Sequence, residues 1–295
     1  MSRVLVVGGS GFIGHYLVEN LAAKSQHLVS GTFNNRKVQQ EGCNWHHADV
    51  TDAQRLEEVF RLVQPETVVV LAAMADVGQC EREPQRAAAV NVAGIQSIAG
   101  LCGQHEAKLV FLSTEYVFNG ETGNYTEGEV PAPTTQYGRT KWEAEQAVSR
   151  YSGPWSIIRT SMVYGWHPRS DQANLVTRVI ENLNHGRPVY GFTDQYRSPI
   201  YVKDLAEGIA RVMAEAYIGV SHLAGPQWIG MDQFVLAIAE QFGLNAELVQ
   251  QTPSTDQRPS RLGLDSTQSV SRLEFQPRDA VSGLKEMQIS RKESP

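Results

Sequence analysis

The chain has 295 residues, of which 41% are hydrophobic and 20% charged, enough for one large or two modest domains around a sizeable core. A net charge of -6 argues against non-specific binding to nucleic acid or to an anionic membrane surface. The three cysteines, Cys43, Cys80 and Cys102, are widely spaced and form no Cys-x-x-Cys, so neither a disulfide framework nor a zinc site is indicated. The first residues run straight into a strand pattern without a charged leader and cleavage site, and no apolar run approaches a membrane span. A cytoplasmic protein is expected, with no membrane and no nucleic-acid partner.

Arg3 to Val7 is a short apolar, β-branched run and reads as a buried strand. It leads into Gly8-Gly9-Ser10-Gly11-Phe12-Ile13-Gly14 and then a helical pattern through Leu17, Leu21 and Ala22. Glycines in this order, between a strand and a helix, permit a tight turn and close approach of the backbone to a pyrophosphate. The helix N-terminus then offers N–H groups and a positive dipole end to the phosphates. Gly8, Gly11, Phe12, Ile13 and Gly14 are therefore candidate dinucleotide ligands.

A second strand is expected near Leu28 to Phe33. At its end, twenty residues past Gly14, stands Asn34 rather than an acid, followed by Asn35 and Arg36. A carboxylate there would grip a ribose 2′-OH and repel a 2′-phosphate, whereas an arginine attracts one. Asn34 and Arg36 thus favour NADP(H) and leave NAD(H) open. Trp45 to Val50 reads as a third strand, with Asp49 placed to accept from an adenine amino group. His46 and His47 are adjacent, but no third ligand stands nearby, so no metal is expected. Ala53 to Val63 is helical, and Pro65 ends it. Thr67 to Ala73 is an all-apolar fourth strand, as a parallel sheet buried on both faces requires; the small Ala72 and Ala73 leave room for a cofactor. Ala87 to Cys102 reads as one long helix carrying Asn91.

The fifth strand, Lys108 to Leu112, delivers Ser113, Thr114 and Glu115 to its C-terminal end, where ligands of open α/β sheets bind. Twenty-three residues beyond Thr114 come Tyr137 and, one helical turn later, Lys141. Residues four apart on a helix face the same way. A lysine ammonium beside a phenol favours the phenolate and lowers a pKa that is ordinarily about 10, which suits general acid–base chemistry. A sixth strand, Trp155 to Arg159, ends at Thr160-Ser161-Met162-Val163-Tyr164-Gly165. Helices are expected over 175–184, 203–216 and 232–242, and Arg258 to Asp265 reads as a loop with two arginines. The alternation predicts an α/β, doubly wound parallel sheet of Rossmann type with a smaller C-terminal α/β part. The expected division is 1–160 as the dinucleotide-binding domain with returning elements from later in the chain, 161–288 as mainly the substrate-binding part, and 289–295 as a frayed tail.

The Gly8/Gly11/Gly14 loop, Asp49-Val50, Thr114 and Tyr137-x-x-x-Lys141 together resemble an extended short-chain dehydrogenase/reductase. Within that superfamily, four segments make the chain similar to the dTDP-4-dehydrorhamnose reductases: Ser113 to Gly120, Tyr137 to Lys141, Arg159 to Gly165, and Asp194-Gln195 with Pro199. Two residues depart from the family pattern: Glu115 stands where aspartate is usual, and Met162 where tryptophan is usual. The resemblance implies catalytic Thr114, Tyr137 and Lys141. It implies a cofactor site that also takes in Val50, Ala72, Ala73 and Asn91, and a nucleotide-sugar substrate met by Glu115, Met162, Val163, Arg197 and Arg258. It implies NADPH-dependent reduction of the C4 ketone of a nucleotide-linked 4-keto-6-deoxysugar, with dTDP-4-dehydrorhamnose to dTDP-rhamnose as the reaction, and is compatible with a homodimer. Two other readings stay open at the sequence level. One is a cofactor-binding regulatory subunit like the beta subunit of methionine adenosyltransferase; the other is a nucleotide-sugar epimerase or dehydratase. Arg36→Ala should weaken NADPH binding more than NADH binding in paired titrations, and equal losses would contradict the NADP(H) preference.

Overall fold

In this computed structural model the described residues are 1–24, 26–35, 38, 40–168, 172–255 and 258–292. Seven strands form the main sheet: β1 (Ser2–Val7), β2 (His27–Phe33), β3 (Cys43–His47), β4 (Thr67–Val70), β5 (Lys108–Thr114), β6 (Trp155–Thr160) and β7 (Gly219–Leu223). Their spatial order is β7-β6-β5-β4-β1-β2-β3. From β5 to β3 the neighbours pair in parallel, with Val4 of β1 opposite both Val29 of β2 and Thr67 of β4. Strand order reverses at β1, which makes the carboxyl ends of β1 and β4 the switch point where such sheets bind ligands.

The sheet is buried on both faces. Leu5, Val7, Val68, Val70, Leu109 and Phe111 share a core with Leu56, Phe60, Ile95, Ile98, Ala144 and Val148 of the covering helices. Val4, Val6, Val69 and Val110 alternate with the strand residues of that core and are equally enclosed. Each such side chain contributes on the order of 1.5–3 kcal/mol by leaving water. This is the Rossmann-type α/β sheet that the alternation of elements predicts.

Helices expected over 53–63 and 175–184 form with those bounds. Asp52 caps the first, accepting from the Arg55 N–H at 2.9 Å, and Gln64 ends it in the left-handed region at φ 48°. The helix expected over 87–102 runs from Pro84 to His105 and contains a π turn at Ala89–Ala93, with helical backbone at both junctions. At Gly94 a Cβ would lie 2.8 Å from the Val50 carbonyl, so only glycine lets the helix pass so close to the loop after β3. β3 and β4 both stop three residues short of their expected ends, because the chain leaves the sheet to form the loops that hold Asp49 and Ala72.

By its internal contacts the chain divides into two compact units. The first comprises Met1–Val117, Pro131–Arg159 and Ala206–Ser221; the second comprises Phe118–Val130, Thr160–Leu205 and the chain from His222 onward. Within the second unit, three two-stranded ladders pair Val163–Tyr164 with Ile200–Tyr201, Tyr196–Arg197 with Ile229–Gly230, and Val189–Phe192 with Val249–Thr252. The last helix runs Ala280–Lys292, through the first four residues of the segment expected to fray, with Leu284 and Met287 fully buried on it.

Candidate active site

Tyr137 lies in the first turn of the helix Gln136–Ser149. Thr135 caps that helix, its hydroxyl accepting from the Gly138 N–H at 3.1 Å. A Cβ at Gly138 would lie 2.1 Å from the Tyr116 carbonyl, so the glycine after the tyrosine is what lets the helix seat against the turn that follows β5. Tyr116 packs edge-on against Tyr137, with ring centroids 5.7 Å apart. This seating brings the Tyr137 phenol to the Thr114 side chain, which acts to lower its pKa. One turn on, the Lys141 Nζ donates to the Leu112 carbonyl at 2.7 Å and lies 4.0 Å from the Phe111 ring centroid. Thr114, Tyr137 and Lys141 are all buried, and all three gather at the carboxyl end of β5.

Asn91 ties this turn down from behind. Its side chain accepts from the Met74 N–H at 2.8 Å and donates to the Met74 carbonyl and to the Thr140 hydroxyl. Thr140 in turn donates to the Tyr137 carbonyl at 2.9 Å. Asn91 was expected at the cofactor; its side-chain hydrogen bonds go to the protein, so its influence passes through the loop after β4 and the Tyr137 backbone. The π turn that carries it is the kind of helix irregularity that often marks functional sites.

The electrostatics differ from the expected lysine-assisted tyrosine. Burial pushes the Tyr137 phenol above its usual range, and Cys80, Tyr116 and Glu115 push it further, against the opposing hydrogen bond from Thr114. Lys141 is not among the groups that move it; its Nζ is directed to the Leu112 carbonyl and the Phe111 face. Burial also pushes the Lys141 ammonium down to about 7, with Glu145 pulling it back up. Without ligands, then, Tyr137 holds its proton firmly and Lys141 is poised between charge states near neutrality.

The glycine loop fits a dinucleotide. Gly8 sits at φ 83°, and a Cβ there would lie 2.6 Å from the Ala72 N, so the turn closes against the end of β4. A Cβ at Gly14 would lie 2.5 Å from the Gly8 carbonyl, which requires glycine for the helix to enter so near the turn. The helix Phe12–Ala23 begins at Gly11 with no side-chain cap, which suits an anionic ligand at its N-terminus. The Thr32 hydroxyl accepts from the Gly8 N–H at 2.9 Å and fixes the loop to β2.

Asn34 is exposed at the end of β2 and donates to the Asp49 carboxylate at 2.5 Å. Burial tends to raise the Asp49 pKa, but hydrogen bonds from the Thr51 N–H and hydroxyl and from Asn34, with the Arg86 charge, hold it low. Arg36 lies outside the described residues. Glu115 is 2% exposed and opens a short turn, Glu115–Val117, where its charge acts on Tyr137.

The remaining substrate candidates belong to the second unit. Met162 accepts the Ile200 N–H at 2.9 Å through its carbonyl, and Val163 pairs with Ile200. Arg258 is exposed. Arg197, expected to face a diphosphate, is buried instead, and donates to the Tyr196, Ser260 and Pro259 carbonyls at 2.7, 2.9 and 3.0 Å. Three main-chain acceptors within reach make it a brace for the Pro259–Ser260 backbone. Sequence reasoning missed Thr135, Gly138, Thr140, Glu145 and Arg159. A cap-type threonine three residues before a glycine was a readable signal for the first two; the others show only in three dimensions. Among the described residues, no group of three or more His, Cys, Asp or Glu could hold a metal ion, and no helix is long and apolar enough to cross a membrane.

The family model described as the RmlD substrate binding domain matches residues 2–291. The chain belongs to the family of dTDP-4-dehydrorhamnose reductase-like sugar-nucleotide reductases. It is 32% identical to the "Probable low-salt glycan biosynthesis reductase Agl14" of Haloferax volcanii, across 91% of this chain and 90% of that one. It is 26% identical to "Methionine adenosyltransferase 2 subunit beta" of Rattus norvegicus, across 89% of this chain and 80% of that one. Among solved structures it is similar to the dTDP-4-dehydrorhamnose reductase of Bacillus anthracis str. Ames in complex with NADP, with TM-score 0.82, 25% identity, and coverage of 98% of this chain and 99% of that one.

The buried lysine has a sign-specific consequence for stability. Lys141 titrates at about 7 in the folded protein against 10.5 unfolded, so between those values the unfolded chain binds more protons. Stability contributed by this group is lowest below pH ~7 and is recovered as pH rises toward the unfolded value. In urea melts of the ligand-free protein from pH ~6 to ~9, the parent should gain on Lys141→Met as pH rises. A constant difference would contradict the buried-ammonium picture.

Proposed function

We propose that this chain uses NADPH to reduce the C4 ketone of a nucleotide-linked 4-keto-6-deoxysugar, converting dTDP-4-dehydrorhamnose to dTDP-rhamnose. The observation that carries this reading is the buried cluster of Thr114, Tyr137 and Lys141 at the end of β5, with the Thr114 side chain acting on the Tyr137 phenol and Lys141 one turn behind. A reductase of this kind needs a proton donor beside the reacting oxygen, and a phenol whose proton is firmly held arrives at each turnover in the required state.

The glycines at 8, 11 and 14 would admit the pyrophosphate, with the Phe12 and Ile13 amides donating to it. Asn34 and Arg36 would receive the 2′-phosphate, Asp49 and Val50 the adenine, and Ala72 and Ala73 would leave the wall low beside the ring. Asn91 supports that wall through Met74. NADH is the weaker alternative. The NADP complex of the Bacillus anthracis relative supports this assignment.

A bound NADPH supplies the hydride for C4. Tyr137 gives its phenolic proton to the C4 oxygen as negative charge builds there, so carbon and oxygen each gain one hydrogen and the ketone becomes an alcohol. Thr114 hydrogen-bonds the same oxygen and fixes its direction, a positioning and electrostatic role. Charged Lys141 lowers the cost of the phenolate that Tyr137 leaves behind, then favours its reprotonation. The family resemblance assigns Glu115, Met162, Val163 and Arg258 to the sugar nucleotide. Exposed Arg258 suits a diphosphate, while Arg197 acts by bracing the backbone after Arg258.

Tyr137→Phe should lower the rate of NADPH oxidation with dTDP-4-dehydrorhamnose by about 10²–10⁴-fold while NADPH still binds. Turnover equal to the parent's would show that Tyr137 is not the acid.

A further inference from the structure

Lys141 is 3% exposed, and the groups its Nζ touches are a carbonyl oxygen and a ring face. Neither replaces the water an ammonium loses on burial. The charged group that acts on it is Glu145, four residues further along the same helix. Helical side chains lean toward the helix N-terminus, so a residue at i+4 is aimed back at the residue one turn before it. Tyr137, Lys141 and Glu145 thus form one stripe at positions i, i+4 and i+8.

Glu145 is held from the neighbouring strand. Arg159, in β6 beside β5, donates from Nε to both carboxylate oxygens at 3.0 and 3.2 Å and from Nη2 at 2.7 Å. The two side chains are 3% and 1% exposed. A buried ion pair is weak as a source of stability, since well-packed apolar residues often do as well in its place. What an apolar pair could not do is present a carboxylate to the stripe. Arg159 fixes the direction of the Glu145 carboxylate, whose charge acts on Lys141 one turn before it.

The surroundings of Lys141 leave this role to Glu145. On its own helix it is flanked by Tyr137 and Glu145, and β5 offers the Leu112 carbonyl and the Phe111 ring. From β6, Arg159 contacts Glu145. Glu115 and Tyr116 of the turn after β5, and Cys80 of the helix Val77–Arg82, act on Tyr137. In the helix Gly94–His105, Cys102 acts on Tyr151 and His105 packs on Phe60, and Arg86 of Pro84–Ala88 acts on Asp49.

We propose that Glu145, clamped by Arg159, is a positioning residue that keeps Lys141 charged behind Tyr137. Its relevance to turnover rests on the acid role proposed for Tyr137; its effect on Lys141 does not. The test follows the Lys141 side-chain resonance in ligand-free protein carrying ¹³C-lysine, assigned by its loss in Lys141→Met. The midpoint should fall near 7 in the parent. Glu145→Gln combined with Arg159→Gln removes both charges of the pair, so neither partner is left without the other, and should move the Lys141 midpoint down by roughly one unit or more. The alkaline limb of the NADPH-oxidation rate with dTDP-4-dehydrorhamnose should move the same way. If that variant does not fold, Glu145→Met with Arg159→Met fills the site with apolar side chains and is read in the same manner. A folded variant whose Lys141 midpoint stays at the parent value overturns the proposal, since a merely structural ion pair would leave it there. If the parent turns over no nucleotide 4-keto sugar, the proposed reaction fails, and the Lys141 midpoint still decides the role of Glu145.

Discussion

The seating of Gly138 against the Tyr116 carbonyl is the contact on which the candidate site depends. A side chain at that position would meet a carbonyl oxygen at 2.1 Å, so the helix Gln136–Ser149 can reach the end of β5 only with glycine there. Once it does, Tyr137 meets Thr114, Lys141 meets the Leu112 carbonyl, and Asn91 and Thr140 secure the turn from behind. The contacts of Tyr137 and Lys141 join the helix to the end of β5, in a parallel sheet whose two faces are closed, and those of Asn91 and Thr140 hold the helix's own first turns. The precision of the cluster comes from that rigid frame rather than from any strong bond within it.

Burial does two opposing things at this place. It drives the Tyr137 phenol toward keeping its proton and the Lys141 ammonium toward losing one. A simple picture of a lysine lowering its neighbour's pKa counts the attraction between charges and omits the water both groups have lost. The Glu145–Arg159 pair gives the lysine a counter-charge where solvent gives it none. Cost and compensation therefore sit on one helix stripe.

Much of this was legible in the sequence. Apolar runs alternating with helical periods foretold the doubly wound sheet, and Gly8, Gly11 and Gly14 marked the turn that closes on Ala72. Thr114, Tyr137 and Lys141 could be placed together because strand ends and i, i+4 spacing are local properties. The misses have one physical origin: they are set by contacts between residues far apart in the chain. β7 escaped notice because Gly219–Leu223 is short and includes Ser221 and His222, polar residues that are fully buried; the His222 N–H donates to the Ser269 hydroxyl, far along the chain. In the sequence the helix through Asn91 reads without its π turn, since nothing in the residues Ala89–Ala93 announces one. Arg197 read as a ligand arginine because its acceptors, the Pro259 and Ser260 carbonyls, lie more than sixty residues away.

The chain is similar to proteins whose names describe reductases and to others named as a subunit of a different enzyme, and these lead to different expectations for the same cofactor loop. The most direct test is to mix the protein with NADPH and a panel of nucleotide 4-keto-6-deoxysugars, dTDP-4-dehydrorhamnose among them, and to follow absorbance and products together. The account predicts NADPH oxidation in step with formation of the C4 alcohol. NADPH that binds tightly but is oxidised with none of the sugars, or sugar converted without net oxidation, would contradict it.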